Sequence, residues 1–150
     1  MSIASNIQEI RARMDRAALA AGRRPEEVLL VGASKMNTAA ACREAIEAGI
    51  GALGENRVQE MQEKLAQGAY EGAPLHFIGH LQRNKVRQVV GVVSLIHSVS
   101  SPELLEEIQR QAEKRDIVQD VLLEVNVGGE ASKSGFAPGE LRQAAERALS

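Results

Sequence analysis

The sequence predicts an α/β fold in which strand and helix alternate and the strands run parallel, and three observations predict it. Short apolar runs recur five times along the chain, at a spacing of roughly 20 to 25 residues, the repeat expected of a βα unit. The runs are continuous rather than alternating in hydrophobicity, the pattern of strands buried on both faces. Between them lie stretches with apolar residues at helical spacing, opened by capping residues and closed by glycine.

The elements follow in order. Ile3, Ile7, Ile10, Met14, Ala18 and Leu19 share one face of an opening helix that Gly22 stops. Val28 to Val31 reads as the first strand, leading through Ser34 to Lys35. Thr38 then caps a helix that runs to Gly49. A brief strand centres on Ala52-Leu53, and Asn56 is expected to cap the next helix, where Glu60 and Lys64 pair at i, i+4. Leu75 to Gly79 is the third strand, and Lys85 to Val90 is placed in a helix. Leu95 to Val99 is the fourth strand. Ser101-Pro102-Glu103 starts a helix with cap, first-turn proline and first-turn acid together. Val121 to Val127 is the fifth strand, and a further helix begins at Pro138.

Such units close either as an open doubly wound sheet or as a (β/α)8 TIM-type barrel. A barrel takes about 250 residues, with about 200 near the lower limit. Here 150 residues end inside the fifth unit. The expectation is therefore an open sheet, or a barrel represented by about its first five βα units and truncated at the C-terminus. No linker or repeat marks a second domain, so residues 1–150 are expected to be a single domain.

Composition narrows the function classes. Apolar residues make up 44% and charged residues 25% of the chain, the balance of a soluble globular protein. Aromatics are only 2%, so the core must be aliphatic. A net charge of −2 gives no electrostatic reason for nucleic acid or an anionic membrane as partner. There is no signal-peptide pattern near the start and no membrane-length apolar run. The single cysteine, Cys42, reads as a small hydrophobe, and its use matches a reducing compartment. The cytoplasm is the expected location.

Two nucleotide motifs fail on context. Gly49-Ile50-Gly51-Ala52-Leu53-Gly54 matches the dinucleotide pattern, but Gly49 and Gly51 precede the strand instead of joining it to the following helix. Lys133-Ser134 lacks the glycine that a phosphate-binding loop needs. His76 and His80 lie four residues apart in the third run, on one side of the predicted strand. No cysteine or well-spaced carboxylate joins them, so no metal site is assigned.

The chemistry concentrates at strand ends. Lys35 closes the first run, where ligands bind in parallel βα folds, and desolvation there would free its amine as a nucleophile towards an aldehyde. Asn56, His80, His97 with Ser98, and Asn126 stand at or near the carboxyl ends of the following strands. One such polar residue is ordinary, whereas five in succession describe a site.

These residues belong to longer blocks that resemble a known family. Val31 to Lys35, Gly54-Glu55-Asn56-Arg57-Val58-Gln59-Glu60, His76 to Lys85, Ile96 to Val99 and Asn126 to Phe136 are similar, in family order, to the pyridoxal phosphate (PLP) homeostasis proteins. The His76 to Lys85 block is the most specific. The resemblance implies an alanine-racemase-like (β/α)8 barrel of PLP fold type III, with Lys35 as the Schiff-base lysine; Asn56, His80 and Ser98 are expected beside the cofactor from their strand-end placement. It implies storage and delivery of cofactor, with apo PLP-dependent enzymes as partners and no catalytic residues. Ala33 and Met36-Asn37 depart mildly from the family pattern. The family also continues for three more strands, which carry its phosphate loop and an arginine facing the pyridine nitrogen. Two competing readings are an amino-acid racemase-like enzyme and a phosphate-binding barrel, or fragment, without PLP. Racemisation needs a second acid/base, and the only tyrosine, Tyr70, is placed in a loop away from the strand ends.

Overall fold

The computed structural model describes all residues from 1 to 150. The first helix, α1 (Ile3–Ala20), begins where Ser2 and Ser5 form a reciprocal capping box. It buries Ile7 and Ala18 and gives way to Gly22 in the left-handed region, at φ 69°. The first strand, β1, spans Val31–Ala33 and so starts later than Val28. The reason is local: Pro25–Glu27 forms a 3₁₀ turn into which the Val28 amide donates, leaving Val28 and Leu29 exposed. Helix α2 (Ala39–Glu47) is capped by the Thr38 side chain, as expected, and Gly49 at φ 83° ends it. Strand β2 (Ala52–Glu55) follows and is buried throughout. This order confirms that the Gly49–Gly54 motif lies on the wrong side of its strand for a dinucleotide. Helix α3 spans Val58–Leu65.

Strand β3 (Leu75–Phe77) is two residues shorter than the sequence suggests. The Lys85 to Val90 helix is a 3₁₀ helix over Arg83–Gln88, not an α-helix. Its valines explain the difference: Val86, Val89 and Val90 are all fully buried, and β-branched residues resist α-helical crowding. Strand β4 is Leu95–Val99, as read. Helix α4 (Pro102–Lys114) is capped by Ser101 and buries Leu104, Leu105, Ile108 and Ala112. Strand β5 spans only Val121–Leu123, because Phe136 returns to the strand's continuation. The Phe136 amide donates to the Glu124 carbonyl, and the Asn126 amide donates to the Phe136 carbonyl, both at 2.8 Å. A third 3₁₀ segment at Pro138–Glu140 leads into helix α5 (Leu141–Leu149).

The five strands form one sheet in the order β1-β2-β3-β4-β5, and the registered pairs are parallel. A doubly wound sheet reverses its order at a switch point; a barrel wall does not. The unbroken order therefore decides between the two closures in favour of the first five units of a (β/α)8 barrel.

Packing divides the residues into two compact units: 1–55 with 59–75, and 56–58 with 76–150. In the first unit, Val31, Gly32 and Ala33 pair with Ala52, Leu53 and Gly54, and α1 packs on α2. In the second, His76 and Phe77 pair with Leu95 and Ile96, and α4 packs on the Arg83–Gln88 turn. No helix is long and apolar enough to cross a membrane.

Candidate functional site

In the first unit, β1 runs directly into a tight turn, Ser34-Lys35-Met36-Asn37, closed by the Asn37 amide donating to the Ser34 carbonyl at 3.0 Å. The Asn37 side chain donates to the Lys35 carbonyl at 3.1 Å. Met36 stands in the left-handed region at φ 62°, a conformation that costs a non-glycine residue about 1 kcal/mol. Lys35 is exposed, and its amine takes part in no ion pair or hydrogen bond. This corrects the expectation of a shielded amine. Ala33, on the same strand end, is also exposed, so no residue of this unit covers that side of β1.

The buried chemistry lies directly behind the turn. The Glu55 side chain is 0% exposed, and its Oε1 accepts from Lys64 Nζ at 2.7 Å, Tyr70 Oη at 2.8 Å and Ser34 Oγ at 2.6 Å. Lys64 Nζ also donates to the Ser34 carbonyl at 2.7 Å and to Glu60 Oε1 at 2.8 Å. Glu60 Oε1 in turn accepts from the Met36 amide at 2.6 Å. Burial alone would lower the Lys64 pKa, but the carboxylates of Glu55 and Glu60 outweigh it and hold it raised. Burial and the same Glu55 carboxylate push the Tyr70 phenol far above its usual value. Glu55 Oε2 is buried without a partner.

Sequence reasoning missed this cluster and misplaced Tyr70, whose hydroxyl reaches the end of β2. The Glu60–Lys64 pair forms at i, i+4 as expected, but the spacing does not reveal that Lys64 is buried, at 5% exposure. A glutamate closing an apolar strand was the available signal, since a buried carboxylate demands a partner.

In the second unit, Asn56 does not cap α3. It lies two residues before Val58, and its Oδ1 is buried with no hydrogen-bond partner. Ser98, in β4, is likewise buried with its Oγ unpartnered. Gly79 passes so close to Asn56 that a Cβ there would press into the Asn56 backbone. His80 is exposed beyond the end of β3 and does not share a strand face with His76. His76 instead meets His97 of the neighbouring strand, Nδ1 to Nε2 at 2.9 Å. Burial lowers the pKa of both, and for His76 the His97 charge adds to it. No cluster of three or more metal-ligating side chains is present. The Asn126 side-chain amide donates to the Glu130 carbonyl at 2.9 Å and closes its own loop.

A sequential parallel βα wall, with Lys35 in the turn after its first strand, defines a protein of the (β/α)8 barrel class. The chain belongs to the alanine racemase N-terminal domain family, whose model matches residues 2–150. It is 42% identical over 149 residues to the pyridoxal phosphate homeostasis protein of Aquifex aeolicus, covering 99% of this chain and 65% of that protein. It is 43% identical to the protein of the same name from Pseudomonas aeruginosa, covering 97% of this chain and 63% of that one. The structure of PipY from Synechococcus elongatus with PLP bound superposes with a TM-score of 0.80 at 31% identity, over 97% of this chain and 63% of PipY. The chain thus spans just under two thirds of these relatives' length.

Proposed function

We propose that residues 1–150 act as a single pyridoxal phosphate-binding domain that carries the cofactor on Lys35 for storage and delivery. The observation that carries this reading is the placement of Lys35 in a hydrogen-bonded turn at the carboxyl end of β1, the end where parallel βα folds bind ligands. Its relatives' names point to the same cofactor. When bound, pyridoxal phosphate supplies an aldehyde that a primary amine captures reversibly.

The residues present suit such a group. Lys35 provides the amine and must shed its proton to react. The orphaned Asn56 Oδ1 and Ser98 Oγ offer an acceptor and a hydroxyl that no protein group occupies. His80 adds an exposed imidazole past β3. Turnover is not part of this reading. Tyr70, the only tyrosine, is locked on Glu55 with its phenol held protonated, so it cannot serve as the second acid/base of a racemase. Apo PLP-dependent enzymes are the partners this role calls for, and the cytoplasm is its setting.

Intact mass and visible absorption with and without added pyridoxal phosphate, followed by borohydride, test the proposal. The wild-type chain gains one fixed adduct and a visible band, and Lys35→Ala gains neither. An unchanged adduct in Lys35→Ala would overturn it.

A further inference from the structure

The backbone on both sides of Lys35 is held by side chains from a single helix. On its N-terminal side, the Ser34 carbonyl accepts from Lys64 Nζ, and the Ser34 hydroxyl donates to Glu55. On its C-terminal side, the Met36 amide donates to Glu60. Glu60 and Lys64 are themselves joined at 2.8 Å, one turn apart on α3. One ion pair therefore spans the three residues centred on Lys35. A buried pair of this kind is a weak device for stability, because desolvating both charges offsets most of their attraction. What it does supply is geometry. Charge-assisted hydrogen bonds fix two peptide groups and keep Met36 in a conformation it would otherwise leave.

We propose that Lys64 and Glu60 are positioning residues for Lys35, clamping the flanking peptide groups so that the amine meets a bound aldehyde in one orientation. The inference rests on the reading of Lys35 as the cofactor lysine. The amine condenses with the aldehyde and releases one water, and the clamp takes no part in that bond. Its effect lies in the direction along which the side chain leaves the turn. The carboxylates of Glu55 and Glu60 hold the Lys64 pKa raised, so the Lys64 ammonium of the clamp stays charged across the physiological range.

The test uses Glu60→Ala, with Glu60→Gln as the conservative variant that retains an acceptor for the Met36 amide. Glu60 is partly solvated, at 23% exposure, so its loss is the milder way to open the clamp. Pyridoxal phosphate is titrated against each protein. Three quantities are read: adduct formation at Lys35, circular dichroism of the visible band per unit absorbance, and the melting temperature. Glu60→Ala weakens adduct formation by roughly tenfold, the loss of about one charge-assisted hydrogen bond, and lowers the dichroism ratio. Glu60→Gln restores most of both. A melting temperature that falls while the ratio and affinity hold would show a merely structural pair and overturn the inference. Amide exchange of the wild-type protein without cofactor gives a second check: the Met36 amide is protected although Met36 is exposed, and rapid exchange there also overturns it. Absence of any Lys35 adduct in the wild-type protein would instead sink the underlying reading.

Discussion

Two regions of this chain treat buried polar atoms in opposite ways. Behind β1 and β2, nearly every polar atom is used: Glu55 Oε1 takes three donors, Lys64 makes three bonds, and Tyr70 and Ser34 both close onto the carboxylate. In the second unit, Asn56 Oδ1 and Ser98 Oγ are buried and bonded to nothing, while His76 meets His97 across neighbouring strands. Buried groups that lack partners cost stability, so natural proteins keep few of them. The Glu55 cluster, with donors gathered on one carboxylate oxygen and only Glu55 Oε2 left without a partner, behaves as framework. The orphaned Asn56 and Ser98 atoms are the ones that the proposed cofactor site would use.

That contrast can be broken most forcefully at Lys64. Lys64→Met leaves Glu55 as an unpaired buried charge and is expected to cost about 3 to 5 kcal/mol in urea unfolding. Gly79→Ala should cost about 1 to 3 kcal/mol in the same measurement, because the new methyl group has only the Asn56 backbone to press against. The histidine pair sharpens the contrast through pH. Folding lowers both imidazole pKa values, by burial and, at His76, by His97 as well. As pH falls through the ordinary imidazole range, the unfolded chain takes up protons first, so stability declines; above that range both states are neutral and the effect vanishes. Replacing His97→Asn flattens that slope, as thermal melts at stepped pH will show. Smallest of all, Ser98→Ala breaks no hydrogen bond and should change stability by no more than about 0.5 kcal/mol. It should nonetheless weaken cofactor binding by severalfold in an absorption titration.

The order of elements was legible because each rests on local signals. The apolar runs, the Thr38 and Ser101 caps and the Gly22 and Gly49 stops all act where they were read. Boundaries failed where a local rule met a competing one: Pro25 draws the chain into a turn ahead of β1, and buried valines turn an expected helix into a 3₁₀ segment. Strand-end logic singled out Lys35, Asn56, His80 and Ser98 by position and could not reach their environments. Lys35 proved exposed, and Asn56 proved unpartnered rather than a cap. The Glu55 cluster and the His76–His97 contact could not be read in advance. Each joins residues 9 to 30 positions apart, through register and helix facing that no local pattern encodes.

The most direct test of the account is where substoichiometric pyridoxal phosphate attaches to the 150-residue chain when fixed by borohydride and mapped by peptide mass spectrometry. Lys35, Lys114 and Lys133 are all exposed, so accessibility alone would label them alike. The account predicts that Lys35 takes nearly all of the label. Equal labelling of the three lysines would contradict it.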